Sequence, residues 1–454
     1  MLKSIELRPY QNEAIQKWID ANFVGFFEMA TGTGKTITAL SCAKYLSTIE
    51  NRISLLILVP TLDLVSQWKD DVKKVVCRNV IEASSKSLNW YEEVLTAIYE
   101  QRDSFCIITT YATFLSKKFQ FIVSKFPTTG MLIADEAHNF GSNSQVSQYP
   151  IHIERRLGLS ATPNRHFDEE GTKAVMNYFK AYSGPTFEFN MKEAIDRGYL
   201  CEYYYYPIIV HLNNDELLEY KNISKKLFKY FNSNGVFNDS PIVTALLLKR
   251  KRIIHQAVEK FDVLRKILTD LIEKKSKRKY ILVYVPEGND KSEEAIDKKL
   301  IDEYSRIISV EFGLMQHQFI GNTTGRNKIL DQFSDGKIEV LTAMKCLDEG
   351  VDIKRAETAI FCSSTGNPRQ FIQRRGRVLR THPDKKYAVI YDMIVVPLSK
   401  NNFFEGSLSM ERSILQSELI RVHEFANLAL NQYQALQSLE QIVKEYQIDI
   451  YSKS

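Results

Sequence analysis

The stretch Ala30-Thr31-Gly32-Thr33-Gly34-Lys35-Thr36 decides the fold. It follows an apolar run, Val24 to Met29, and precedes a helical run, Ile37 to Leu46. Glycines let a backbone wrap closely around a phosphate, and amides at a helix N-terminus point at it. Lys35 then reaches the outer phosphates and the Thr36 hydroxyl ligates Mg²⁺. Met29 stands where the strict pattern has its first glycine, and the bland alternative is a merely tight turn. The strand–loop–helix setting, more than the letters, favours the phosphate cradle.

Working outward, short apolar runs alternate with longer amphipathic ones. Leu55 to Val59, Phe105 to Thr109, Met131 to Ala134 and Leu157 to Leu159 read as buried strands. Strands alternating with helices predict βαβ units and a parallel sheet. The alternation pauses from Asn213 to Lys279. There Leu217, Leu218, Tyr220, Leu227 and Tyr230 mark one helix, and Ile253 through Leu271 recur at helical spacing. Strands resume at Tyr280 to Val285, Ile338 to Thr342, Thr358 to Cys362 and Tyr387 to Tyr391. After Pro397, Leu415, Leu419, Val422, Ala426, Ala429, Tyr433 and Leu436 follow three- and four-residue steps, as one long or two shorter helices. The expected division is a first α/β lobe over 1–205, a helical segment over 206–279, a second α/β lobe over 280–397 and a helical extension over 398–454.

Asp135-Glu136-Ala137-His138 closes the run Met131 to Ala134. Adjacent carboxylates at the end of a buried strand repel, and a metal ion offsets that cost. Asp135 is expected to hold Mg²⁺ through water and Glu136 to orient the attacking water. Charge neutralisation at a γ-phosphate also wants arginines, and Gln373-Arg374-Arg375-Gly376-Arg377-Val378-Leu379-Arg380 supplies them. Arg377 and Arg380 lie three apart and would share a helix face.

Taken in order, these motifs resemble superfamily 2 helicases and translocases. Arg8-Pro9-Tyr10-Gln11 is similar to the adenine-reading motif, Ala30 to Thr36 to motif I, and Asp135 to His138 to the DEAH form of motif II. Ser160-Ala161-Thr162 resembles motif III, Gly350-Val351-Asp352 motif V and Gln373 to Arg380 motif VI. The likeness runs from about residue 5 to about 395. It implies two RecA-like parallel-sheet lobes of the α/β class, an interlobe helical segment and a C-terminal helical tail.

The resemblance also implies roles. ATP is held by Arg8, Gln11, Thr31, Gly32, Thr33, Gly34, Lys35 and Thr36, with Gly350 and Asp352. Lys35, Asp135, Glu136, Arg377 and Arg380 carry catalysis, and Mg²⁺ sits on Thr36 and Asp135. His138, Ser160, Thr162 and Gln373 couple hydrolysis to lobe movement. Thr61, Thr109, Thr110 and Thr342 fall where the family touches the nucleic-acid backbone, a contact suited to hydroxyls that bond phosphate without reading sequence. Each of these threonines can equally serve as a cap or turn hydroxyl.

Within the superfamily the sequence most resembles restriction-enzyme motor subunits and excision-repair helicases, through LRPYQNEAI and LVPTLDLVSQW. Motif II ends in His138 rather than in the aspartate of RNA helicases, which favours DNA over RNA. The expected activity is a nucleic-acid-dependent ATPase acting as a DNA helicase or double-stranded DNA translocase, in a restriction, phage-defence or repair setting. The alternative is an ATP-gated binding module that does not translocate. The C-terminal helices either pack on the second lobe or dock a protein partner.

Composition is compatible with these readings. The net charge of +5 is mild, and the basic runs Lys249 to Arg252 and Lys274 to Lys279 could line a nucleic-acid path or simply face solvent. Six scattered cysteines form no C-x-x-C pair, so they read as buried thiols rather than a zinc site or disulfide framework. No stretch approaches the ~20 apolar residues of a membrane span, and none at the N-terminus resembles a signal peptide. The expected location is the cytoplasm, away from membranes.

Overall fold

The structure, a computed structural model, describes residues 6–449 except 86, 101–102, 166–167, 232–236, 238–239, 275, 287–293, 322, 345–352, 363–367 and 398–406. The chain divides into two compact units, Met1–Leu200 and Cys201–Ser454.

The strands of the first unit are β1 (Val24–Met29), β2 (Ser54–Val59), β3 (Asn79–Ala83), β4 (Phe105–Thr110), β5 (Met131–Ala134), β6 (Arg155–Ser160) and β7 (Phe187–Phe189). They form a seven-stranded sheet in the order β3-β4-β2-β5-β6-β1-β7. Each neighbouring pair is parallel. Central strands covered on both faces must be apolar throughout, and SLLILV, FCIITT and MLIA are buried almost without interruption. Close packing needs glycine at Gly158, where a Cβ would lie 2.6 Å from the Phe26 ring and 2.9 Å from the Phe179 ring.

The second unit contains β8 (Tyr203–Val210), β9 (Ile281–Tyr284), β10 (Gln316–Phe319), β11 (Val340–Ala343), β12 (Thr358–Phe361) and β13 (Ala388–Val395). These form a six-stranded parallel sheet in the order β10-β11-β9-β12-β13-β8. Both units are therefore α/β parallel-sheet domains, as expected.

The expected boundary after residue 205 falls inside β8 and is corrected to Leu200/Cys201. The reason is register: Tyr203 to Val210 pair residue by residue with Ala388 to Val395. The segment 206–279 is likewise part of the second unit. Its helices Asn214–Phe228, Pro241–Gln256 and Glu259–Thr269 share one apolar core with β9, β11, β12 and β13. The anticipated continuous helix through Leu271 breaks at Ala257, whose ψ of 119° is not helical.

The C-terminal extension folds as three helices, Ser407–Ala426, Gln432–Gln437 and Glu440–Tyr446. They belong to the second unit. Arg421 pairs with the fully buried Asp392 of β13 at 2.7 Å, and Glu411 accepts from Tyr220 Oη at 2.7 Å. Asn431 satisfies the edge of β8, accepting from Tyr205 N at 2.8 Å and donating to Tyr205 O at 2.9 Å. An unpaired strand edge is a template for aggregation, and this amide blunts it.

The basic runs are partly structural. Arg250 is buried beside Glu411 at 3.7 Å and cannot line a solvent-filled path. Lys274, Lys277 and Arg278 pair with Asp270, Glu357 and Glu339. Cys42, Cys77, Cys106, Cys201 and Cys362 are buried free thiols, and Cys346 lies outside the described residues. Among the described residues no helix is long and apolar enough to cross a membrane.

Candidate nucleotide site

In an open parallel sheet, loops at the carboxyl ends of the strands gather at one rim. The first unit places there the turn after β1, the acidic turn after β5 and the segment after β6.

Residues Ala30 to Gly34 form the turn after β1, and the helix Lys35–Ile49 begins at the lysine. Gly32 and Gly34 have φ of 91° and 87°, the left-handed region that glycine enters without steric cost. The Thr33 hydroxyl donates to Ala30 O at 2.7 Å and closes the turn. Lys35 Nζ donates to Met29 O at 3.2 Å and lies 4.0 Å from Glu136 Oε1. The Thr31 hydroxyl is buried without a hydrogen-bond partner among the described residues.

Gln11 braces this loop. Its Nε2 donates to Thr38 Oγ1 at 3.1 Å and to Gly34 O at 3.4 Å, while its Oε1 accepts from Arg8 N at 2.9 Å. A Cβ on Gly34 would lie 2.8 Å from that Nε2. Tyr10 Oη donates to Thr33 O and accepts from Arg8 Nη1 at 3.1 Å. The Tyr10 ring stacks on Phe189 at 4.0 Å and meets Tyr199 edge-on at 4.7 Å, with the Arg8 guanidinium 4.9 Å from the Tyr199 centroid. Phe189 and Tyr199 carried no signal in the sequence, because an isolated aromatic reads as ordinary core.

The acidic turn is held tightly. Burial, then the neighbouring Glu136, raises the Asp135 carboxyl to about 6, while the Trp68 hydrogen bond and Lys35 oppose the rise. Glu136 has φ of 46°, uncommon for a residue with a Cβ and typical of functional turns. Its Oε2 lies 3.5 Å from both Ser160 Oγ and His138 Nδ1. His138 Nδ1 is 3.1 Å from Ser160 Oγ, and Thr162 N donates to Ser160 Oγ at 3.0 Å. With a proton on Nδ1, Ser160 accepts two hydrogen bonds and donates one to Glu136, using its full capacity. The Thr162 hydroxyl is buried without a partner among the described residues.

Lys35, Asp135, Glu136, His138, Ser160 and Thr162 are therefore drawn into one cluster with Gln11 beside it. Thr36 sits in the first turn of the lysine's helix. The candidate nucleic-acid threonines have local work. Thr61 Oγ1 caps the helix Leu62–Val75 by accepting from Leu64 N at 3.5 Å. Thr110 Oγ1 accepts from Thr113 N at 3.2 Å. Thr109 is buried, and its hydroxyl donates to Ala83 O at 2.8 Å, so backbone contact through that hydroxyl is not available in this arrangement. In the second unit Thr342 is also buried, its hydroxyl donating to Gln316 Oε1 at 3.3 Å.

The arginine helix of the second unit spans Pro368–Val378. Gln373 and Arg377 are buried on it, but Arg380 lies beyond its end. The expected shared helix face of Arg377 and Arg380 is thus corrected: a buried lysine, Lys385, stops the helix by donating to Val378 O and Arg380 O. Arg375 is committed to structure, 4.0 Å over the Phe425 ring and 3.4 Å from Tyr203 Oη. Gly350 and Asp352 lie outside the described residues.

The chain is similar to two protein families. Residues 4–165 match the Type III restriction enzyme, res subunit, and residues 259–382 match the helicase conserved C-terminal domain. A DNA 3'-5' translocase XPB2 of Sulfurisphaera tokodaii is 29% identical over 83% of this chain and 79% of its own length. A putative DNA 3'-5' helicase Rad25 of Haloarcula marismortui is 24% identical over 85% of this chain, which spans only 52% of that relative. Among solved structures, an ATP-dependent Type ISP restriction-modification enzyme, LlaBIII, bound to DNA, matches the fold with a TM-score of 0.61 at 16% identity, covering 99% of this chain and 33% of that one.

Proposed function

We propose that the chain is a superfamily 2 helicase or translocase, a DNA-stimulated ATPase that moves along or unwinds DNA. The observation that carries the reading is the convergence of Lys35, at 4.0 Å, and Ser160, at 3.5 Å, on the Glu136 carboxylate from segments that follow or end three different strands. The named activity of the relatives supports DNA over RNA, as does the histidine at position 138.

The residues present fit a magnesium nucleotide. Gly32 and Gly34 take the positive φ of a tight phosphate-cradling turn, and the buried Thr31 hydroxyl is without a partner among the described residues. Lys35 and Asp135 bring opposite charges to the same place. When bound, Mg²⁺ would neutralise charge on the outer phosphate oxygens. Lys35 exchanges its hydrogen bond to Met29 O for a phosphate oxygen. Glu136, held by Ser160, would accept a proton from the attacking water, and Thr36 with Asp135 would hold the metal.

Two measurements test this. ATP turnover is followed with single- and double-stranded DNA and RNA, for the wild type and for Lys35→Ala and Glu136→Gln. Loss of a general base costs about 10²- to 10⁴-fold, so wild-type turnover by Glu136→Gln would sink the assignment. Strand displacement beside triplex displacement separates unwinding from translocation, and ATP-dependent binding without either would favour the gated module.

A further inference from the structure

Every backbone and side-chain polar atom of Asp135 has a protein partner. Its N donates to Leu58 O at 2.9 Å and its O accepts from Tyr111 Oη at 2.8 Å. Its Oδ1 accepts from Glu136 N at 3.0 Å and its Oδ2 from Trp68 Nε1 at 2.8 Å. Trp68 and Tyr111 are 1% and 5% exposed, so neither donor has water as an alternative. Each carboxylate oxygen keeps a second lone pair for a metal-bound water.

The position of these two donors in the chain matters. Trp68 lies on the helix Leu62–Val75, which opens at Thr61. Two turns separate them, about 10 Å along the axis. Tyr111 follows Thr110 directly, at the end of β4. The segments that carry the two donors are thus the ones that begin with candidate nucleic-acid contacts. A helix packed through its apolar face shifts as a rigid body because close-packed interiors do not deform continuously. A displacement at Thr61 or Thr110 therefore reaches the carboxylate turn through single, short hydrogen bonds.

We propose that Trp68 and Tyr111 are positioning residues that convert nucleic-acid docking on the Thr61 and Thr110 segments into the set of the Asp135-Glu136 turn, and so determine how strongly DNA stimulates hydrolysis. This rests on the function proposed above. It names the route by which the nucleic-acid side of the unit speaks to its nucleotide side. The competing account is that both groups are simply buried donors that found an acceptor.

The test uses the full chain and substitutions that keep each ring and remove its polar atom: Trp68→Phe and Tyr111→Phe. Trp18→Phe is the control, since the Trp18 indole is equally buried but donates to Arg156 O at 3.1 Å, without contact to the turn. The ratio of ATP turnover with and without saturating duplex DNA is one readout. The other needs no turnover: the shift in affinity for a fluorescent non-hydrolysable ATP analogue on adding duplex, in Mg²⁺ and in EDTA. Coupling of two binding sites is reciprocal, so the effect of the analogue on DNA affinity must change equally.

Trp68→Phe should lose stimulation on the order of tenfold, the scale of one hydrogen bond to a charged acceptor, and Tyr111→Phe, whose acceptor is the neutral Asp135 carbonyl, about fivefold; the affinity shift in Mg²⁺ should shrink with each. Wild-type ratios and shifts in both variants would overturn the proposal. So would an equal loss in Trp18→Phe, which would mark a general loosening of the unit. If instead the wild type itself is not stimulated by any nucleic acid, the functional reading fails first.

Discussion

Replacing Arg421 by Met tests whether the C-terminal helices are core or a detachable docking arm. Arg421 and Asp392 are essentially inaccessible, with side chains 2% and 0% exposed and 2.7 Å apart. The guanidinium lies 3.7 Å over the Phe371 ring and also pairs with Glu418. Tyr205 Oη donates to the same Asp392 oxygen at 2.7 Å. Met keeps most of the volume over Phe371 but leaves Asp392 as a buried charge with one neutral donor. Removing one partner of a buried ion pair costs about 3–5 kcal/mol. For a unit of this size, 1 kcal/mol is worth roughly 2–4 °C, so the unfolding transition of the second unit should fall by about 6–20 °C. Scanning calorimetry of the full chain at neutral pH reads that shift. Asp392→Asn in the Arg421→Met background should recover part of it, because the stranded charge is gone. A shift below about 2 °C in Arg421→Met, at the foot of that scale, would refute the reasoning and favour a docking arm.

Ser160→Ala should lower turnover on the order of tenfold with little change in KM for ATP, since Ser160 orients Glu136 and His138 rather than the nucleotide; a rise in KM alone would count against that role. Gly34→Ala combines φ of 87° with a Cβ 2.8 Å from Gln11 Nε2, so nucleotide affinity should drop sharply while the melting temperature falls by only a few degrees. Glu28 lies beside Glu188 on the paired strand β7, and burial, then that neighbour, raises its carboxyl to about 7. A raised carboxyl binds its proton more tightly folded than unfolded, so this group's contribution is fully present below pH 4.5 and is lost as pH climbs through about 7. Glu28→Gln should therefore raise the melting temperature at pH 8 and change it less at pH 5, as two thermal melts would show.

The parallel strands were legible wherever they are central. β1, β2, β4 and β5 are unbroken apolar runs because both faces are covered, and their limits in the sequence differ from the structure by a residue at most. β3, β7 and β8 escaped notice for the converse reason. NVIEA and FEF sit at the rims of the first sheet and alternate buried with exposed positions, which over so short a span carries no clear period. β8 reads YYYYPIIV, and its proline hides a strand. Pro207 is tolerated because β8 is an edge, where a missing N–H disturbs no second neighbour. That single oversight moved the domain boundary from Leu200 to residue 205.

The site shows a different division. The clustering of Lys35, Asp135, Glu136, His138, Ser160 and Thr162 was legible because each lies in a short-range pattern: glycines next to a lysine, two carboxylates at a strand end, a small hydroxyl after another. Trp68, Tyr111, Asp392 and Arg421 were not, since they act by holding other residues across long stretches of chain. Trp68 meets Asp135 from 67 residues away and Tyr205 meets Asp392 from 187. In the sequence Trp68 is one more apolar position on an amphipathic helix, and Arg421 one more charge on a C-terminal one. Only packing distinguishes an indole that fills space from one whose N–H fixes a carboxylate. The same logic binds the extension to the arginine helix, because Phe371 and Arg375 on that helix are covered by Arg421 and Phe425. The helix Ser407–Ala426 thus braces the helix that carries Arg377.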